Sequence, residues 1–368
     1  MSAELDLLYT DVEEALRESV RSVLTKRCTP DTVTGVYDSG NTTDAGLWRL
    51  LGGELGLAAL LISEDNGGAG ASAREAAVVL EELGRFVAPV PFLTSAVIAT
   101  TVAAQLNAVE LLGELASGEK TAALALPFTA SAAGFTTAVL ASESGELTGT
   151  VTSVAGAISA DVLIVPAMRG AELELVLVAA ASVRITPVTS LDMTRQIADV
   201  ELTGATGMPL ARGAAASDAV QAGLEVGAAL LASEQLGVAE WCLTSTVEYL
   251  GVRKQFGRVV GGFQALKHRL ADLYVMVESA RAAARYAAAA VAAGDPDSAL
   301  AASLAQAYCS EVAVFAAEEC IQLHGGIGMT WEHPAHLHLK RAKASQLGLG
   351  TPGAHRRRLA ELSDLPAV

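Results

Sequence analysis

A mainly α fold with a central β domain is what this sequence predicts, on three observations. Hydrophobic residues make up 51% of the chain and aromatic ones only 4%, so Ala, Val and Leu must fill the interior, which suits helices packed through small side chains. Between about Lys120 and Thr206, short runs of Val, Ile, Thr and Leu alternate with Gly, Ser and Asp, the pattern of strands and turns. After Ala214 the chain returns to long Ala- and Leu-rich runs, as in a bundle of mostly buried helices. At 368 residues it is too long for one small core. The expected division is a helical domain over 1–119, a β domain over 120–213 and a helical bundle over 214–368.

The elements follow in order. Val12, Ala15, Leu16, Val20 and Val23 recur at helical spacing, which predicts a helix over 9–28. A second helical segment is expected from Leu47 to Leu61, ended by the breaker cluster Ser63-Glu-Asp-Asn-Gly-Gly-Ala-Gly70. Ser72 is placed to cap a helix reaching Phe86, which Pro89 and Pro91 stop. A helix pair is expected over 95–117. Strands are expected at Ala138-Val-Leu-Ala, Asp161-Val-Leu-Ile-Val-Pro and Glu174-Leu-Val-Leu-Val, and long helices over 216–251, 262–293 and 298–323. Gly294-Asp-Pro-Asp reads as a helix–helix turn.

The formal net charge of −16 excludes the basic surface that nucleic acid requires and disfavours an anionic membrane surface. Cys28, Cys242, Cys309 and Cys320 form no C-x-x-C pair and sit among apolar neighbours, as buried reduced thiols do. The opening Met-Ser-Ala-Glu-Leu-Asp has neither a basic nor an apolar leader region. The apolar window around Phe92 to Leu106 is too short and too Thr-rich to span a bilayer. A cytoplasmic location is expected.

The most informative stretch is Gln322-Leu-His-Gly-Gly-Ile-Gly-Met-Thr-Trp-Glu-His333. Glycine enters positive φ freely and so ends helices, and two adjacent glycines let a large flat or anionic ligand approach the backbone. Upstream lie Arg253-Lys-Gln-Phe-Gly257 and Gln264. Arg253 is expected near the end of a helix that Gly257 closes, and its guanidinium offers a fork of donors matching a diphosphate.

Together with Leu47-Trp-Arg-Leu-Leu, Glu54-Leu-Gly-Leu, Glu64-Asp-Asn-Gly-Gly-Ala-Gly, Glu81-Glu-Leu-Gly-Arg and Gly350-Thr351, these segments resemble the flavin-dependent acyl-CoA dehydrogenase family over nearly the whole chain. The resemblance implies an N-terminal helical domain, a middle β-barrel or sandwich and a C-terminal four-helix bundle. It implies FAD and the α,β-dehydrogenation of an acyl-CoA thioester, a β-oxidation type of step in lipid metabolism, with an electron-transferring flavoprotein as acceptor. Carried over, Arg253 grips the FAD pyrophosphate of a neighbouring subunit, Phe256 lies against the cofactor, Gln264 adds a polar contact, and Gln322, Gly325 and Gly326 approach the adenine and ribose.

Two departures qualify the resemblance. Where family members carry a Thr-Glu-Pro-x-x-Gly-Ser-Asp-like loop supporting the isoalloxazine, this chain has Leu126-Pro-Phe-Thr-Ala-Ser-Ala-Ala-Gly-Phe-Thr, without the acidic residues. The usual base position falls on Leu349, which takes no proton, and the alternative one, on a bundle helix, falls near Gly227. Glu225 and Glu234 are the helix-borne candidates left. The chain keeps what reaches into a neighbour's flavin and lacks what holds its own. It therefore resembles the shorter, base-lacking partner subunit of actinobacterial heteromeric acyl-CoA dehydrogenases, α2β2, which act on CoA thioesters of bulky acids including steroid side chains. A self-sufficient homotetramer using Glu225 or Glu234 stays open, as does a regulatory pseudo-enzyme. A metal reading of His333-x-x-His336-x-His338 with Glu332 is weighed and set aside, because Pro334 interrupts the helical spacing and Lys340 and Arg341 repel a cation. These histidines are expected at a polar interface, with His336 and Arg341 anchoring partner contacts.

Overall fold

The structure, a computed structural model, describes residues 5–39 and 43–363. The Met1–Glu4 opening, from which no leader is expected, lies outside them. The N-terminal part holds α1 (Asp11–Arg27), α2 (Pro30–Ser39), α3 (Ala45–Trp48), α4 (Ala73–Phe86), α5 (Thr100–Gln105) and α6 (Val109–Ala116). Thr10 and Ser72 cap α1 and α4 through reciprocal bonds with Glu13 and Glu75. The helix expected over Leu47–Leu61 is broken instead. After α3 the chain makes a π-helical turn at Arg49–Glu54 and a 3-10 turn at Leu57–Ala59. A Cβ on Gly52 would stand 2.8 Å from the Trp48 ring. That indole donates to the Gly118 carbonyl (3.1 Å), so the large ring fixes the local backbone against regular helix.

The middle part carries β1 (Ala122–Leu124), β2 (Leu140–Ala141), β3 (Leu147–Ala155), β4 (Val162–Arg169), β5 (Glu172–Ala179), β6 (Arg184–Val188), β7 (Ile197–Ala205) and β8 (Met208–Arg212). They form one sheet in the order β6-β7-β3-β2-β4-β5-β8, with β1 parallel to β4 and most other pairs antiparallel. A bulge between Val151 and Val154 puts Ser153 at φ 57. Its N–H turns to Asp199 (2.9 Å), and its carbonyl accepts from Phe128 N–H (2.9 Å).

The C-terminal part is α7 (Ala214–Val252), the hairpin β9 (Lys254–Gln255) and β10 (Arg258–Val259), α8 (Gln264–Ala293), α9 (Ser298–His324), α10 (Ala335–Leu347) and α11 (Pro352–Leu362). Its core is mostly alanine from α7, α8 and α9, which lets the helices approach closely. Helix α7 also crosses α4 with backbone against backbone. A Cβ on Gly84 would overlap the Glu234 carbonyl, and one on Gly237 would overlap the Glu81 carbonyl. The stretch Ser298–Met329 is long and apolar enough to cross a membrane, yet 67% of its apolar window is buried in the protein, as in a core helix.

Candidate functional site

Helix α7 ends at Val252, and Arg253 leaves it in extended backbone. Gly257 therefore does not close that helix, as the sequence led us to expect. It forms the hairpin tip with Phe256, at φ 74 and φ 52. Gly325 ends α9 at φ 64, ψ −138, a conformation that glycine adopts readily. Tyr249, four residues before Arg253, stacks on His324 with ring centres 4.4 Å apart. The hairpin base and the Gly325-Gly326 turn thus lie at one end of the bundle. Arg253, Phe256, Gln264, Gln322, Gly325 and Gly326 are all exposed there, and Phe256 is 91% exposed.

The second place is the cleft between the β domain and the bundle. Leu349 sits at φ 57 and is 2% exposed. Its N–H donates to Phe128 O (2.7 Å), Gln306 Nε2 donates to Gly348 O (2.9 Å), and His355 Nε2 lies 3.0 Å from Leu349 O. Three hydrogen bonds thus hold a non-glycine residue in left-handed backbone. A Cβ on Gly227 would stand 3.1 Å from Leu349 Cδ1 and 2.8 Å from Ile98 Cγ1. The two positions where a base was sought therefore face each other, and neither carries an ionisable group. The Phe128 ring covers Gly348, where a Cβ would overlap it. The remaining cavity, lined by Thr94, Ile98, Leu126, Phe128, Leu224 and Leu349 among others, has a volume of about 20 Å³, room for a single water. An isoalloxazine does not fit there. A wider cavity of about 470 Å³ lies elsewhere, lined by Trp48, Arg49, Glu119 and Asp161 among others, and holds none of the predicted residues.

Glu234 lies in neither place. It is 2% exposed and paired with Arg195 and with Arg341 Nη1 (3.3 Å). Arg341 also donates from Nε to Asp192 (2.7 Å) and from Nη2 to Thr194 Oγ1 (2.7 Å). Burial alone would push the Glu234 carboxyl up, but the two guanidiniums outweigh it and hold it below its ordinary value. A general base needs the opposite shift. Glu225 is held by Arg358 (3.0 Å). Arg341 is buried inside this cluster, so it does not anchor a partner as expected.

The histidines of the metal reading diverge. His338 stacks on Trp241 with centres 3.6 Å apart, and its Nε2–H donates to Arg85 O (3.0 Å). His336 packs on Trp331 (4.5 Å) and accepts from Lys340 Nζ (3.3 Å). His333 packs toward His324 (4.1 Å). Burial pushes both His338 and His333 down to about 4. Between the ordinary histidine value and about 4, the unfolded chain binds protons that the folded one refuses. Their stabilisation is therefore complete above pH 6.5 and is lost as pH falls toward 4. His338→Phe keeps a ring on Trp241 but loses a hydrogen bond, about 1 kcal/mol at pH 7.5. Thermal melts should show the gap to the parent narrowing by pH 4.5; a constant gap contradicts this.

Phe128, Ile98 and the Asp192–Arg195–Glu234–Arg341 cluster were not foreseen. The loop Leu126–Thr136 carries two phenylalanines, Phe128 and Phe135, and nothing local in the sequence marks Phe128 as the one that fills the cleft.

With this geometry in hand, the chain can be set beside known proteins. Residues 10–118 match the acyl-CoA dehydrogenase N-terminal domain and residues 217–363 the acyl-CoA dehydrogenase C-terminal domain. The chain is 40% identical to acyl-CoA dehydrogenase IpdE2 of Mycobacterium tuberculosis, over 94% of its own length and 95% of that protein. It is 35% identical to IpdE2 of Mycolicibacterium smegmatis, over 95% and 98%. A chain of the ChsE4-ChsE5 complex from Mycobacterium tuberculosis superposes with a TM-score of 0.88 at 29% identity, over 99% of this chain and 100% of that one. A chain from a variant of the Tcur3481-Tcur3483 steroid ACAD gives 0.84, also at 29%, over 96% and 98%. The fold, helical then β-sheet then helical, is that of the FAD-dependent acyl-CoA dehydrogenases, and the chain belongs to the acyl-CoA dehydrogenase family.

Proposed function

We propose that this chain is the base-lacking subunit of a heteromeric α2β2 acyl-CoA dehydrogenase. Arg253, Phe256, Gln264, Gln322, Gly325 and Gly326 reach across the interface to an FAD seated mainly in a sister subunit, which supplies the base and most of the acyl pocket. The observation that carries this reading is a contrast: these six residues stand exposed at one end of the bundle, while the chain's own cleft is filled by Phe128, Ile98 and Leu349. Heteromeric relatives support it, because the ChsE4-ChsE5 and Tcur3481-Tcur3483 assemblies are pairs of chains. The steroid description of the second favours a bulky, ring-containing acyl-CoA as substrate. An electron-transferring flavoprotein as acceptor, a cytoplasmic location and the domain division 1–119, 120–213, 214–368 belong to the same proposal.

In this arrangement FAD, when bound, takes up the hydride leaving the β carbon of the thioester. The residues of this chain bind and orient it. The Arg253 fork neutralises a diphosphate, Phe256 covers an apolar face, and the two glycines admit the adenosine end without a Cβ in the way.

Expression decides the matter. Alone, the chain should be colourless and inactive toward acyl-CoA. Co-expressed with a longer relative that has an intact acidic flavin loop, it should co-purify as a yellow, active complex, from which Arg253→Ala removes most of the flavin. A yellow homomer that oxidises acyl-CoA without a partner sinks the proposal and returns Glu225 and Glu234 to contention.

A further inference from the structure

The β9–β10 hairpin carries a second arginine. In its register Gln255 pairs with Arg258 and Lys254 with Val259, and Val260 N–H donates to Arg253 O (2.8 Å). Side chains alternate along a strand. Arg253, Gln255 and Arg258 therefore emerge on one face of the hairpin, and Lys254 on the other. Arg253 and Arg258 are diagonal neighbours, about 7–8 Å apart in such a ladder.

The Arg258 guanidinium is held in place. Its carbon lies 3.8 Å from the centre of the Phe263 ring, and Phe263 meets Phe256 edge-on with centres 6.1 Å apart. Stacking occupies the flat face of the guanidinium and leaves its N–H edge free for an oxyanion. Among the described residues neither Arg253 nor Arg258 is paired with a carboxylate. Other arginines of this acidic chain are so paired: Arg269 with Glu319, Arg281 with Glu240, Arg356 with Glu311 and Arg358 with Glu225. No acidic residue occurs from Arg253 to Arg269, where Lys254, Arg258 and Lys267 add further positive charge.

We propose that Arg258 is the second guanidinium of the diphosphate grip whose first is Arg253, oriented for that task by Phe263. This rests on the cross-subunit reading above. Two forks on one face, each taking one phosphate, bind a dinucleotide diphosphate more tightly than a single fork. A lysine in that place keeps the charge but loses the bidentate match.

The test uses the co-purified complex and reads FAD retention and FAD affinity by flavin fluorescence. Arg258→Ala should weaken FAD binding about ten- to a hundredfold, the loss of one charge-assisted pair. Arg258→Lys should recover only part of it, and Lys254→Ala on the opposite face should stay within about twofold. Unchanged complex yield and melting temperature in each variant keep folding out of the comparison. If Arg253→Ala strips the flavin while Arg258→Ala binds it like the parent, the second fork is wrong and the cross-subunit reading stands. Flavin unchanged with a raised KM for acyl-CoA assigns Arg258 to the substrate's own diphosphate and also overturns the inference. Flavin retained in both alanine variants removes the two readings together.

Discussion

Arg341→Met should cost roughly 3 kcal/mol of stability, the low end for breaking a buried ion pair. Four acceptors meet this one guanidinium: Asp192, Glu234, Thr194 Oγ1 and, at 3.5 Å, the Ala88 carbonyl. They come from the β6–β7 loop, α7 and the segment after α4, so Arg341 joins all three parts of the chain. Methionine fills the volume but leaves Asp192 with only Thr194 and Glu234 with only Arg195. The melting temperature of this 368-residue chain should fall by about 4 °C at pH 7.5. Acid provides a second signature. In the parent, burial raises the Asp192 and Glu234 carboxyls, but the guanidiniums prevail and keep both below their ordinary values. The stability they confer is present above the unfolded carboxylate range and lost as pH falls through the folded values. In the variant these groups protonate more easily, so the gap to the parent should shrink on acidification. A melting temperature within about 1 °C of the parent at pH 7.5 would show that the cluster does not hold the parts together.

Gly237→Ala should be comparably severe for a different reason. The added methyl would overlap the Glu81 carbonyl of α4, and backbone cannot swing aside as a side chain can. Overpacking of this kind costs about 1–3 kcal/mol and sometimes more, and here two helix axes must separate. The α4–α7 crossing also sets the position of Glu234, whose own carbonyl lies against Gly84. A loss of soluble yield and a lowered urea midpoint are expected. Gly251→Ala is the matched control: it lies on the same helix with nothing within 4 Å of the added carbon. Helix propensity alone should leave it neutral or up to about 1 kcal/mol more stable. Equal effects at both positions would mean that close approach is not what Gly237 provides.

How far these features could be read beforehand depends on their range. The cap Ser72, the three long bundle helices and the Gly325 turn are written in neighbouring residues, and their positions could be read directly, whereas the first helix, expected over 9–28, begins only after its cap Thr10. Asp192 and Arg195 look like an ordinary polar turn. Their partners Glu234 and Arg341 lie on distant helices, and no periodicity records such pairing. The same holds for Phe128, whose ring meets Gly348 only through tertiary structure. The leucines of Leu47–Leu61 fit a helix, but Gly52, Gly53 and Gly56 weaken it and Gly56 at φ 69 breaks it, with the Trp48 ring packed on Gly52. A glycine just past a long helix commonly ends it, but here Phe256 and Gly257 both take positive φ and form a hairpin tip, which the local sequence does not distinguish from a helix end.

The Phe256–Phe263–Arg258 stack has a consequence for assembly. A two-stranded hairpin alone is barely stable in water, yet this one is stiffened from within before it meets anything. Less conformational freedom is surrendered on docking, so more of the contact energy is available to hold a complex together. Until then a bare benzyl ring stands in solvent at the tip, an adhesive point on a chain whose net charge of −16 makes identical copies repel at a distance.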